Sequence, residues 1–462
     1  MRYLVLGLMA GSAAGFAVLV VPMGGAHTNE LAIHEWGTFT CLQDETGTAI
    51  GGINTDDEPV PNFVYNLARG LLIPATEATV MPTAFFQGAP ACHPDVTMRL
   101  ETPVIYFHLP KSRTEPLSLD VNVEFHGGWL TQFYPAANAV APGVESWPRF
   151  GHLRSDTIAR LDWPELTVGT AANGPDTTEH VWTSPRAVEA ASVTTTNNES
   201  EKFLFYRGVA HLDAPLRVVR DSTRDRLLLY GQLDPTLSGK QPLVIHDLWL
   251  TEIRPDGSSA YRRLKPVTLA EDGKRLLSVT PATFDAADFS QENAVLFRAE
   301  MRRALVDEGL FDDEADALLN TWELSYFKSA GLRLFFLVPR VWTDHYLPLH
   351  VSVPSEVQRV MMGRIELVTP TQRKLLAEIA AGPAPNMPGF QHALPEARVL
   401  VFAGRAPLAS LGVPIPRVYQ AYLDLGRFRN ALILDEEARL STVPLRDFIE
   451  KNGLQAYAIS AQ

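Results

Sequence analysis

Polar and apolar residues alternate without a break from Leu117 to His126. Leu119, Val121, Val123 and Phe125 fall on one side, and Asp120, Asn122, Glu124 and His126 on the other. A period of two predicts a half-buried β-strand. The apolar and aromatic runs at 104–108 and 203–209 have strand length as well. Segments 216–219 and 226–230 flank a polar turn at 221–225, and 243–253 is followed by Pro255-Asp256-Gly257 and then 261–264. Both patterns predict hairpins. Proline-rich stretches at 135–148 and 164–185 read as long loops. No repeat period emerges, which disfavours propellers and solenoids.

The period changes near residue 290. Ser290 is placed to cap a helix reaching about Asp307 and ended by Gly309. Asp312 is placed to cap a second helix, with Ala315, Leu318, Leu319, Trp322 and Tyr326 on one face. So short a link predicts an antiparallel helical hairpin. Strand-like segments follow at 332–338, 347–353 and 357–368. Thr369-Pro370-Thr371-Gln372 is a capping box with proline at the first helical position, opening a helix that stops at Gly382. A proline-rich loop at 382–389, a strand at 398–402 and short helices near 416–425 and 444–451 complete the pattern. The fold class expected is α+β. A β-rich part of sandwich-like sheets spans 27–287, and a mixed part opening with the helical hairpin spans 288–462.

The first residues change the picture of where this chain works. Arg2 precedes an uncharged, mostly apolar run from Tyr3 to Val21, which Pro22 breaks. Gly24-Gly25-Ala26 then supplies small residues at −3 and −1 for cleavage before His27. This is the pattern of a signal peptide over residues 1–26, and it predicts a periplasmic or secreted protein. The alternative is an uncleaved N-terminal anchor, since the run approaches the length needed to span a bilayer. Past the signal, no stretch of sequence is apolar enough to cross a membrane. Roughly 430 residues would remain, more than one core usually spans, so two domains are expected.

Net charge is −13 over the 462 residues, and no basic stripe interrupts it. Such a surface repels phosphate backbones, so nucleic acid is excluded as a partner. Two cysteines, Cys41 and Cys92, occur in the whole chain, and in an oxidising compartment they are expected to form one disulfide.

Candidate chemistry begins at Ile33-His34-Glu35-Trp36-Gly37-Thr38-Phe39-Thr40, which places a base beside an acid. The second histidine of a zinc-protease HExxH is missing, because position 38 is threonine. On a strand His34 and Glu35 point to opposite faces, unless a bulge at Gly37 re-aims them. Glu124 and His126, two apart on the polar face of their strand, could present a carboxylate and an imidazole to one metal ion; ordinary solvent exposure explains the same spacing. His108 ends a strand whose apolar flanks suit a core or rim histidine. Trp129, Trp147, Trp163 and Trp182 fall in the proline- and glycine-rich loops. Exposed there, they would be stacking platforms for glycan or protein; packed inward, they would pin the loops. Glu35, Glu101 and Glu124 allow a glycosidase-like carboxylate pair. No GxSxG, GxxxxGK[ST] or GxGxxG motif is present, so serine-hydrolase and nucleotide-binding readings have no support.

Five segments together resemble a set of exported bacterial proteins of unassigned activity: HEWGTFT (34–40), ETPVIYF (101–107), KFLFYRG (202–208), LRLFFLVPR (332–340) and GRIELVTP (363–370). The resemblance implies export and one continuous architecture, and it lends no substrate, cofactor or catalytic residue. The expectation is therefore an extracytoplasmic hydrolase acting through His34, Glu35, Glu101 and Glu124, with a divalent metal as an optional cofactor and His126 as a ligand. The rival expectation is a non-catalytic envelope protein that grips glycan or protein through the loop tryptophans.

Overall fold

The computed structural model describes residues 30–54, 60–67, 85–86, 88–145, 149–237, 243–269, 275–382 and 416–459. The expected signal segment, His27, Trp147, most of the 382–389 loop and the 398–402 strand lie outside them.

The polypeptide is α+β, built on one 15-stranded mixed sheet. Its main strands are β1 (Leu31–Gln43), β2 (Met98–His108), β3 (Leu117–His126), β4 (Gly128–Tyr134), β5 (Ile158–Thr170), β6 (Leu204–Ala210), β7 (Leu248–Ile253), β8 (Ser259–Leu264), β9 (Gly331–Leu337) and β10 (Ser355–Leu367). They run in the order β5-β4-β6-β2-β1-β10-β9-β7-β8, with β3 pairing β5 away from this path. Neighbours are antiparallel except for β1 beside β10, whose parallel ladder runs from Leu31 opposite Ser355 to Gln43 opposite Leu367, and a single parallel contact of β5 with β4. The sheet crosses the 287/288 position: β1 joins β10, and β7 joins β9. Strands from both parts of the chain thus share one apolar core.

Local pattern accounts for most of these elements. β3 buries Leu119, Val121, Val123 and Phe125 and leaves the intervening residues part-exposed or exposed, as alternation requires. The two hairpins form, 216–221 with 226–231 and β7 with β8. After α1 (His180–Arg186), helices α2 (Asn293–Asp307) and α3 (Asp312–Thr321) pack together as the predicted hairpin, and Arg302 reaches across to Asp316 at 2.8 Å. A single π-helical turn follows at Leu324–Lys328. Helix α4 (Arg340–Tyr346) fills the stretch between the strand-like segments 332–338 and 347–353, where the sequence reading assigns no element. In α5 (Pro370–Ala381) the capping box is in place: the Gln372 amide N–H donates to the Thr369 hydroxyl at 3.2 Å, and the Thr369 N–H donates to the Gln372 side chain at 2.9 Å. Helices α6 (Arg417–Asp424), α7 (Arg429–Leu440) and α8 (Val443–Lys451) pack with α5 in a second, smaller core.

The expected disulfide does not form. Cys41 and Cys92 are not disulfide-bonded, and both are buried. Cys41 belongs to the main core and Cys92 does not; Cys92 instead sits in a left-handed turn (φ 54°) whose N–H is donated to Asn54. Burial, followed by the nearby Asp213 and Glu101 carboxylates, pushes the Cys41 thiol up, which keeps it protonated and unreactive. Among the described residues, no helix is long and apolar enough to cross a membrane.

Candidate functional site

Strand β1 is buried on both faces, and its polar side chains must find partners there. The bulge near Gly37 exists, but the extra residue belongs to β2, at Thr102–Pro103, where Thr102 takes φ 48°. Strand β1 itself stays in unbroken register with β10. A Cβ at position 37 would lie 3.0 Å from Pro103 and 3.1 Å from Met361, so glycine lets the bulged strand approach. Alternation along β1 therefore survives, and His34 and Glu35 form no dyad. Glu35 points to the face that carries α4. There it accepts from Tyr206 and, at 2.5 Å, from Arg359, which also reaches Asp344 of α4 at 2.9 Å. All of Glu35, Tyr206 and Arg359 are buried, and this arrangement holds charge rather than offering it to a substrate.

The opposite face of β1 presents His34, Trp36, Thr38 and Thr40 toward α3 and the π-turn, making a polar stripe beneath the helices. At one end, the His34 ring meets Glu314 of α3 (Nδ1 to Oε2, 2.7 Å), and His108 from the end of β2 meets the same carboxylate (Nε2 to Oε1, 2.9 Å). The two imidazoles stand edge to face with centroids 4.9 Å apart. One ligand-type atom from each of the three residues lies within 4.8 Å of the others. The Phe311 ring packs on both imidazoles at 4.4 and 4.8 Å. Side-chain exposure is 8% for His34, 14% for His108 and nil for Glu314, so the cluster is largely buried but reachable past His108 and the exposed Phe311. Burial alone would push the Glu314 carboxyl up. Hydrogen bonds from His108 and His34, together with the Phe311 N–H, outweigh burial and hold it at about 2.

Further along the stripe, Thr38 bonds the hydroxyl of Tyr326, a residue of the π-turn; such turns recur at functional positions. At the far end, Glu101 is fully buried. It accepts from Thr40 at 2.8 Å and Arg427 at 2.5 Å, with Arg99 at 3.4 Å. Burial would raise its carboxyl, but Arg427, Arg99 and Arg364 hold it down at about 2. Arg333 faces Glu366 at 2.9 Å beside them. Glu101 is thus a counter-ion to guanidinium groups.

The other predicted positions resolve in particular ways. His126 and Glu124 do meet, at 2.9 Å and part-exposed, as their spacing implies, yet among the described residues no third ligand-type group joins them. Trp129, Trp163 and Trp182 are not exposed platforms; all three are buried. Their indole N–H groups donate to the carbonyls of Pro142 (2.7 Å) and Pro135 (3.0 Å) and to Glu201 (2.7 Å). Loop carbonyls and a buried carboxylate needed donors, and the indoles supply them. The residue that sequence reasoning missed is Glu314. It lies at the third position of α3 and accepts the N–H of Phe311 at 2.8 Å, so its visible local duty is a helix cap, which conceals its reach to β1.

No protein-family model matches this chain, and no curated protein does. Among solved structures it is similar to the yeast delta-COP-I mu-homology domain, both complexed with a Dsl1 WxWxV peptide (9% identity, TM-score 0.27) and alone (8% identity, TM-score 0.25). In each case the match covers 74% of this chain and 98% of the other. Likeness at these scores carries no argument about fold or function.

Proposed function

We propose that this protein is an extracytoplasmic hydrolase whose centre is His34, His108 and Glu314 holding one divalent metal ion, zinc being the ion best suited to the donor set. The convergence of the three ligand-type atoms within 4.8 Å, in a site almost closed to solvent, is what supports the reading. Two imidazoles and one carboxylate form a common catalytic zinc set, with metal–ligand distances of about 2.0–2.2 Å and a fourth position left for water. A metal so held supplies an acidified water and polarises a substrate oxygen. The chain's own groups do the rest. Glu314, fixed by the Phe311 N–H, orients both rings, and the Phe311 side chain packs on the two imidazoles. Export follows from the N-terminal signal pattern.

Metal analysis of the mature protein recovered from the exported fraction tests this reading. About one zinc per chain is expected, retained through desalting and lost in His34→Ala and in Glu314→Gln. Chelator-sensitive turnover in a panel of ester, amide, phosphoester and glycoside substrates should follow the metal. Correctly folded wild-type protein that neither carries nor takes up zinc would reduce the cluster to a latch between α3 and the sheet.

A further inference from the structure

A second site lies beside α1, where Phe63, Tyr134, Asn173, Gly174, Asn198 and Glu199 line a cavity of about 390 Å³. We propose that this cavity binds a small molecule or chain end bearing an alkylammonium group. Its wall is aromatic: the Phe63 ring lies 4.8 Å from Tyr134 and 5.2 Å from Trp182, with Tyr134 and Trp182 5.9 Å apart. Trp182, one of the tryptophans that the sequence marks for ligand contact, acts here as the buried backing of the rings that line the space.

The cavity also carries an uncompensated carboxylate. Glu201 behind the wall is matched by Arg186 at 2.5 Å, and both press on Gly174, where a Cβ would lie 2.4 Å from Glu201 and 2.9 Å from Arg186. Glu199 has no ion-pair partner among the described residues. It accepts instead from the Tyr65 hydroxyl at 2.5 Å and the Ala136 N–H at 2.7 Å, which fix its position and leave its charge unmatched. The turn that carries it is tight: Asn198 adopts φ 61°, and the Thr195 N–H donates to the Glu199 carbonyl at 2.9 Å. Ring faces attract cations, and a fixed carboxylate adds direct Coulomb attraction.

The test is titration of the mature protein with choline and with its uncharged isostere 3,3-dimethyl-1-butanol, followed by calorimetry and by tryptophan fluorescence. Saturable choline binding is expected, with the isostere weaker by about tenfold or more, the scale of a desolvated cation–π contact plus a carboxylate. Glu199→Gln should weaken choline about tenfold, and Phe63→Leu, which keeps apolar bulk without a ring face, several-fold. Equal binding of the two probes, no choline binding, or a neutral disaccharide binding in place of choline overturns the proposal. The metal content of His34, His108 and Glu314 is a separate measurement, so either site can fail without the other.

Discussion

Two buried glutamates sit at opposite ends of one polar stripe, and they make an instructive pair. Glu314 and Glu101 are both fully removed from water, and both are held at about 2 against burial. The carboxylates are alike; the partners are not. Glu101 faces guanidinium groups, which are permanently charged, donate only, and have no lone pair to offer a metal. Glu314 faces two imidazoles, each able to give up a proton and become a ligand. A buried acid alone therefore says little about chemistry, and the residue opposite decides whether a site is a rivet or a reaction centre.

Substitutions can break or sharpen this contrast. Glu101→Ala should be the most damaging, because deleting one partner of a buried ion pair typically costs about 3–5 kcal/mol. Urea denaturation would read it, with zinc content per folded chain unchanged. Glu314→Gln should cost less, about 1.5–3 kcal/mol, the scale of lost hydrogen bonds to a charged group, because the two rings can go neutral where arginines cannot. Its larger signature is loss of metal. Equal destabilisation by the two changes would erase the distinction drawn here.

Acid should act on both ends. Each carboxyl is held at about 2 in the folded protein, below the ordinary glutamate value of 4.5. The stability each contributes is complete above the unfolded value and is lost as pH falls from about 4.5 toward 2. Each is expected to forfeit about 1–2 kcal/mol by pH 3, visible as a lower urea midpoint at pH 3 than at pH 5; in Glu314→Gln that fall should shrink. The smallest effect is expected for Thr38→Val, midway along the stripe. Losing the hydroxyl that meets Tyr326 should cost about 1 kcal/mol and leave metal content intact.

Much of the scaffold was legible because its cues are local. Alternation marks β3, turn residues mark both hairpins, and Thr369 with Gln372 marks the start of α5. The opposite facing of His34 and Glu35 was legible for the same reason, since a period of two needs no knowledge of the partner strand. What could not be read depends on distant contacts. Glu314 lies 280 positions from His34 and 206 from His108, and nothing in its own neighbourhood betrays them. His108 showed only apolar flanks, which describe its strand and not the helix above it. The tryptophans misled because proline- and glycine-rich sequence signals a loop without saying which way a ring turns. Three turned inward, where carbonyls and Glu201 lacked donors.

The parallel pairing of β1 with β10 dictates an order of events. Glu35 and Arg359, paired across this seam, are 324 positions apart, so the middle of the sheet cannot close until nearly four-fifths of the polypeptide has arrived. Contacts that distant slow folding. A chain threaded across a membrane N-terminus first would deliver β1 early and leave one flank of it unsatisfied, open to strands of other copies. Any product truncated before Ser355 keeps that open flank permanently and should accumulate as aggregate rather than as a smaller folded protein.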